Sequence, residues 1–233
     1  MPTVYNLALI AADVYTPQRS GACSGMPWWI CNDLADSTSD FQGALYVNAN
    51  ASKREAIIAF RGTEPTAGGD LWADLQIGMQ MMPTQMLSAW ETFSHWRTRM
   101  ENARYQVWVT GHSLGGALAG MVAFMEGVPC VTFNSPGYKL SLLANTYMAI
   151  GGGSVRSLSD AARILNVRNS HDPVSQINLP IGRTVTVNGW ADHENILNRL
   201  NVLSASNGLS IHSMGRLAQL VGQQPWGHKP PTF

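Results

Sequence analysis

Ser113 stands between two glycine-containing pairs in "VTGHSLGGALAG", residues 109–120. A serine in that setting is either part of an ordinary turn or a nucleophile, and the two readings place different demands on the chain. A turn needs only small residues. A nucleophile needs a strand before it and a helix after it, so that its oxygen is lifted clear of the backbone on a sharp bend. It also needs a histidine to accept its proton and a carboxylate to orient that histidine. The chemistry of such a set is acyl transfer.

The flanking residues meet the first demand. "YQVWVT" (105–110) is a β-branched and aromatic run of strand length, and "GALAGMVAFMEG" has helical composition. Ser113 is therefore expected on a strand-to-helix turn. Gly111 and Gly115 keep side chains away from the strained backbone of a nucleophile, and Gly116 lets the helix approach the sheet. The first turn of the helix offers backbone N–H groups and the positive end of its dipole to a developing oxyanion.

Around this unit the pattern alternates between strand and helix. Strands are expected at 44–48, 55–60, 105–110, 129–133, 162–168 and 183–188. Helices are expected at 4–15, 70–77, 85–103, 115–126, 138–149, 192–203 and 211–221. The order implies an α/β fold, a mostly parallel central sheet with helices on both faces. No repeat or linker divides the 233 residues, so one domain over 1–233 is expected. "GGGS" (151–154) and the Pro-rich end "QQPWGHKPPTF" read as exposed loop and tail.

Charged residues make up 13% of the chain and the formal net charge is zero, which argues against a nucleic-acid face. No apolar stretch reaches the roughly 18 residues needed to cross a bilayer. The start lacks a basic region and a small-residue cleavage site. A soluble protein is expected, cytoplasmic or secreted without a cleavable signal peptide. Cys130 lies in an apolar strand, whereas Cys23 and Cys31 are spaced for either a loop disulfide or two free thiols. No CxxC pair or HExxH is present, so neither a metal nor a cofactor is expected.

"VTGHSLGGALA" resembles the nucleophile elbow of the class 3 lipases, the fungal-lipase-like branch of the α/β-hydrolases. "AIIAFRGTE" (56–64) resembles that family's oxyanion strand. The resemblance implies an α/β-hydrolase fold and hydrolysis of carboxylic esters. It also implies an oxyanion hole in which Thr63 and Leu114 donate their backbone N–H groups. A structural reading of "FRGTE", with Gly62 turning the chain and Arg61 paired at the surface, stands beside it.

In this fold the triad runs serine, acid, histidine. Asp172 follows the strand "ARILNVRN" in "NSHDPVSQINLP" and resembles the family's acid motif, an Asp before Pro-Val and then Leu-Pro. A plain Asx-turn before Pro173 is its structural competitor, and Asp192 reads as a helix cap. Among the histidines, His112 belongs to the elbow, His171 adjoins the acid and His228 sits in the tail. His212 in "LSIHSMGRLAQLV" resembles the family's terminal histidine motif, and His193 is the alternative.

Met79, Met81, Met82 and Met86 lie close together between the two motifs, where flexible thioethers suit acyl chains or simply fill core. "DLWADLQI" resembles the segment that carries the family's lid, while the usual His-x-Gly-Phe stretch is replaced by "SAWETF". "SGACSGMPWWICND" matches no element of the family. The expected activity is serine hydrolysis of lipid esters, by a triacylglycerol lipase or phospholipase A acting through an acyl-enzyme. The partner is then a lipid or ester substrate, met at a membrane or lipid-droplet surface, and no oligomeric state is implied. A short-chain or aromatic-acid esterase or thioesterase, and a catalytically silent binding module on the same fold, are the rival readings.

Overall fold

The computed structural model describes residues 1–17, 19–36, 41–50, 52–62, 71–137, 163–178, 180–188 and 212–233, with the backbone only over 71–81. Eight strands form one sheet in chain order: β1 (Ala22–Cys23), β2 (Met26–Asp36), β3 (Gln42–Asn48), β4 (Glu55–Phe60), β5 (Gln106–His112), β6 (Cys130–Phe133), β7 (Ile164–Asn169) and β8 (Arg183–Val187). The first three junctions are antiparallel, and β4 to β8 run parallel. Parallel neighbours need crossovers, which brings helices onto the faces of the sheet.

Alternation along the strands divides the core in two. On β4, Ala56, Ile58 and Phe60 point to one face, and Ile57 and Ala59 to the other. The first face is covered by α2 (Leu71–Asn102) and α3 (Ser113–Glu126). The second is covered by α1 (Val4–Asp13) and α4 (Met214–Gly222). Helix α3 is buried along its length from Ser113 to Met125, which explains its apolar composition on all sides. It ends at Gly127, whose left-handed φ of 66° closes the helix as a C-cap.

The structure departs from the sequence expectations at three places. The helices expected at 70–77 and 85–103 are one, with Pro83 inside it. An interior proline removes an intrahelical bond and crowds the preceding turn, and against that cost Met82, Met86, Phe93, Trp96 and Met100 bury the helix against the sheet and α3 on its C-terminal side. The unplaced "MPWWICNDLAD" is strand β2, the long link between β1 and β3. Pro27 and the Asn32–Asp33 pair lower its strand propensity, and pairing on both sides overrides that.

The C-terminal segment is not a free tail. The carbonyls of Lys229 and Gly227 accept from the Val4 and Tyr5 N–H groups at 3.1 and 2.8 Å, which satisfies the open start of α1. Trp226 packs against the second core. Of the two readings of Cys23 and Cys31 the structure has the free thiols, and both are buried, as is Cys130. The helices expected at 138–149 and 192–203 and the "GGGS" stretch lie outside the described residues. No helix among the described residues is long and apolar enough to cross a membrane.

Candidate active site

Strand β5 ends at His112 and α3 begins at Ser113 with no intervening loop. The turn is made at Ser113 itself, whose φ of 56° lies in the left-handed region. For a residue with a Cβ that conformation costs roughly 1–2 kcal/mol, and it persists because the surrounding packing allows no other. The three glycines have separate structural reasons. A Cβ on Gly111 would stand 2.5 Å from the Gly115 carbonyl carbon and 2.8 Å from the Gly116 nitrogen. One on Gly115 would stand 2.6 Å from the Arg61 carbonyl carbon and 2.7 Å from the Gly62 nitrogen. One on Gly116 would meet Ser135 Cβ and the Gly111 oxygen at 2.9 Å. The elbow is thus wedged between the ends of β4 and β6.

The end of β4 comes up against the serine. A Cβ built on Gly62 would lie 3.1 Å from Ser113 Cβ. Thr63, the next residue, lies outside the described residues, so its N–H is not described. Leu114, the second residue of α3, has its backbone N–H among those at a helix start that lack an intrahelical acceptor, while its side chain packs into the first core.

Asp172 and His212 meet across 40 positions of sequence. His212 Nδ1 lies 2.9 Å from Asp172 Oδ1, with the aspartate side chain fully buried and the histidine nearly so. The carboxylate also accepts from the Val174 N–H at 3.3 Å and the Ser175 N–H at 3.0 Å. These bonds make the Asx-type turn that competes with catalysis in the sequence reading, and the same carboxylate makes both sets of contacts. Its oxygens only accept, so Nδ1 carries the donated proton. Nε2 of His212 is buried and has no hydrogen-bond partner among the described residues. His193 lies outside the described residues.

Three further residues reach this pair without any signal that singles them out in the sequence. The ring of His112 lies 4.6 Å from that of His212, centroid to centroid. His112 Nε2 stands 2.7 Å from the His212 carbonyl oxygen, and His112 Nδ1 stands 2.8 Å from the Tyr15 hydroxyl. Burial, and then the neighbouring His212, hold the His112 imidazole well below its ordinary range, so it is neutral. A carbonyl can only accept, so the single proton is on Nε2, and Tyr15 O–H donates to Nδ1. Asn134, at a left-handed φ of 43°, donates to the same His212 carbonyl at 3.4 Å and accepts from the Asn169 N–H at 2.8 Å. A histidine inside an elbow motif reads as part of the turn, and Tyr15 and Asn134 lie far from it in the chain.

Of the methionines, Met82 and Met86 are buried in the first core, while the side chains of Met79 and Met81 lie outside the described residues.

Residues 7–220 match the family described as Phospholipase-like: Tle-like phospholipase domain. The chain belongs to that family. Among solved structures, lipase II from Rhizopus niveus is 17% identical with a TM-score of 0.54, the match covering 80% of each chain. Lipase from Rhizopus microsporus var. chinensis is 16% identical with the same TM-score of 0.54, over 90% of this chain and 84% of that one. At such identities the likeness concerns the fold, which is the α/β-hydrolase fold of the fungal lipases. The Yarrowia lipolytica protein named "Putative lipase ATG15" is 25% identical over 175 residues, 58% of this chain and 32% of that relative. Its Mycosarcoma maydis namesake is 36% identical over 72 residues, 30% of this chain and 14% of the relative. The match therefore spans a third or less of those proteins. In this chain the elbow serine and the Asp172–His212 pair stand at the C-terminal ends of the parallel strands, where open α/β sheets carry their sites.

Proposed function

We propose that this Tle-like phospholipase domain is a serine carboxylic-ester hydrolase acting on lipid esters, and that residues 1–233 work as one domain. The observation that carries the reading is the buried Asp172–His212 hydrogen bond, which leaves Nε2 of His212 without a partner among the described residues on a histidine packed against His112, the residue before the strained elbow serine. A structural histidine would have no reason to leave that nitrogen buried and unsatisfied.

In this mechanism Ser113 Oγ attacks the ester carbonyl carbon as its proton passes to His212 Nε2. The carbonyl π pair moves onto oxygen, where the N–H groups of Thr63 and Leu114 receive it. The tetrahedral intermediate collapses, the C–O bond to the alcohol breaks, and His212 returns the proton to that alcohol. Water repeats the sequence on the acyl-enzyme and releases the fatty acid and free Ser113. Asp172 accepts from Nδ1–H and holds the imidazole in its productive tautomer. The family description and the lipase names of the relatives support a lipid substrate, with phospholipid as the first choice.

The test is fatty-acid release from phospholipid vesicles and from triglyceride emulsion side by side, with Ser113→Ala as the blank. Release from vesicles that vanishes in the variant is expected. Release from triglyceride alone would reassign the substrate. Silence on both, with no covalent labelling of Ser113 by a fluorophosphonate, would overturn the reading in favour of a silent binding module.

A further inference from the structure

The base is held from two sides, and only one of them is the aspartate. We propose that Tyr15 and His112 are positioning residues for His212, acting through a hydrogen-bond chain that grips its backbone carbonyl. The proposal rests on His212 being the base. It deepens that assignment by naming what keeps the ring in register with the serine.

A single hydrogen bond at Nδ1 leaves an imidazole free to swing about that contact. A productive ring needs its backbone fixed as well, because χ1 and χ2 are counted from it. The carbonyl of His212 receives two donors, His112 Nε2 at 2.7 Å and Asn134 Nδ2 at 3.4 Å. The first of these belongs to the residue immediately before the nucleophile. The base is therefore tied by its own main chain to the elbow it must serve.

The chain has a direction, which the acceptor-only carbonyl of His212 sets and Tyr15 completes. With Tyr15 O–H donating to Nδ1 at 2.8 Å, the His112 proton must sit on Nε2, where it faces the His212 carbonyl. Without that hydroxyl the carbonyl still holds the proton on Nε2, but Nδ1 is left as a buried lone pair with no donor, and the ring loses one of the two bonds that fix its position. Tyr15 also touches the oxyanion strand. Its hydroxyl would stand 2.9 Å from a Cβ on Gly62, and the Arg61 guanidinium lies over its ring at 5.6 Å. One side chain, two residues past the end of α1, thus contacts both the strand bearing the oxyanion donor and the histidine that grips the base.

Three variants test the chain, each first checked for parent-like folding by circular dichroism and melting. Tyr15→Phe removes the hydroxyl alone. His112→Phe keeps ring volume without a donor. His112→Gln restores an amide N–H close to where Nε2 stood. The expected result is at least a tenfold fall in kcat for the two Phe variants with KM little changed, and partial recovery in His112→Gln over His112→Phe. A structural role would not produce that split. Independently of turnover, 15N spectra of histidine-labelled protein should show His112 as the Nε2–H tautomer in the parent. In Tyr15→Phe they should show the His112 Nδ1 signal displaced by loss of its donor, together with a displaced His212 Nδ1–H signal. Parent-like kcat in both Phe variants, or a His212 Nδ1–H signal unmoved in Tyr15→Phe, would overturn the proposal. If the parent hydrolyses no ester at all, the function proposed above falls, and the tautomer and Nδ1–H signals still decide this one.

Discussion

Gly115→Ala adds one methyl group at the third residue of α3, and its consequences can be worked from the contacts it would make. The new carbon would stand 2.6 Å from the Arg61 carbonyl carbon and 2.7 Å from the Gly62 nitrogen, and closer still to the Phe60 carbonyl oxygen. All three are main-chain atoms, so no rotamer change relieves the overlap. Carbon contacts normally lie at about 3.5–4.0 Å, so the end of β4 and the start of α3 must part by roughly 1 Å. Overpacking of this kind costs about 1–3 kcal/mol, offset by up to about 1 kcal/mol from the better helix propensity of alanine. In a domain of this length each kcal/mol lowers the melting temperature by about 2–4 °C.

The effect on turnover is the larger one. The strand that moves carries the Gly62–Thr63 end, and the helix that moves carries Ser113 and Leu114. A misplacement of roughly 1 Å between reacting groups costs about a hundredfold. Gly115→Ala is therefore expected to fold, to melt a few degrees lower, and to lose about two orders of magnitude in both ester turnover and fluorophosphonate labelling. Gly215→Ala is the matched control. Its Cβ meets nothing nearer than Ser213 Oγ at 3.7 Å, and the site is exposed on α4. There propensity acts alone and stabilises by up to about 1 kcal/mol. Parent-like melting and labelling in Gly115→Ala would refute the reasoning, because the strand and helix would then not be in contact as described.

Other consequences are open to direct measurement. Asp172→Asn can present an N–H to His212 Nδ1 and so favour the wrong tautomer, and kcat should fall by about 10⁴-fold with the melting profile nearly kept; turnover near the parent value would remove Asp172 from the site. Burial pushes the Asp33 carboxyl up, but hydrogen bonds from Arg99, Leu34 N–H and Trp96 together with the Arg99 charge outweigh it, so the group is held below 3.8. A lowered carboxyl stabilises above its unfolded value and loses that contribution as pH falls through the folded one. Arg99→Met should thus cost up to about 1 kcal/mol in urea titrations at pH 7, and the gap from the parent should close below about pH 4; a gap that persists in acid would point to packing instead. Burial also raises all three thiols, that of Cys31 to about 11. Ellman's reagent at pH 8 should label none of Cys23, Cys31 and Cys130 in the native protein and all of them in urea, and a fast native reaction would contradict their burial.

Much of the site was legible because its demands are local. A left-handed serine between strand and helix needs glycines around it, and "GHSLGG" writes that requirement in residue types. The α/β class was legible for the same reason, since strand and helix periodicities differ within a few residues. Strand β2 was less so: Pro27 and polar residues obscure its propensity, and pairing with β1 and β3 supplies what the segment lacks. The unbroken run of α2 through Pro83 was obscured likewise, because its stability comes from burial against α3 rather than from its own composition.

By itself, then, the sequence determined the elbow, the family to which its motifs point and the order in which an acid and a base must follow. The motifs around Asp172 and His212 marked each as a candidate by resemblance, and that these two meet was a tertiary matter. Asp172 and His212 are distant in the chain, and nothing local to either records that β7 and the segment before α4 end side by side. The same holds for Tyr15 and His112, 97 positions apart, and for the C-terminal carbonyls that cap α1. Backbone conformation is chosen largely by a residue and its neighbours, so it can be read from them. A hydrogen bond between distant side chains is fixed by the packing of whole elements, and it becomes visible only when they are assembled.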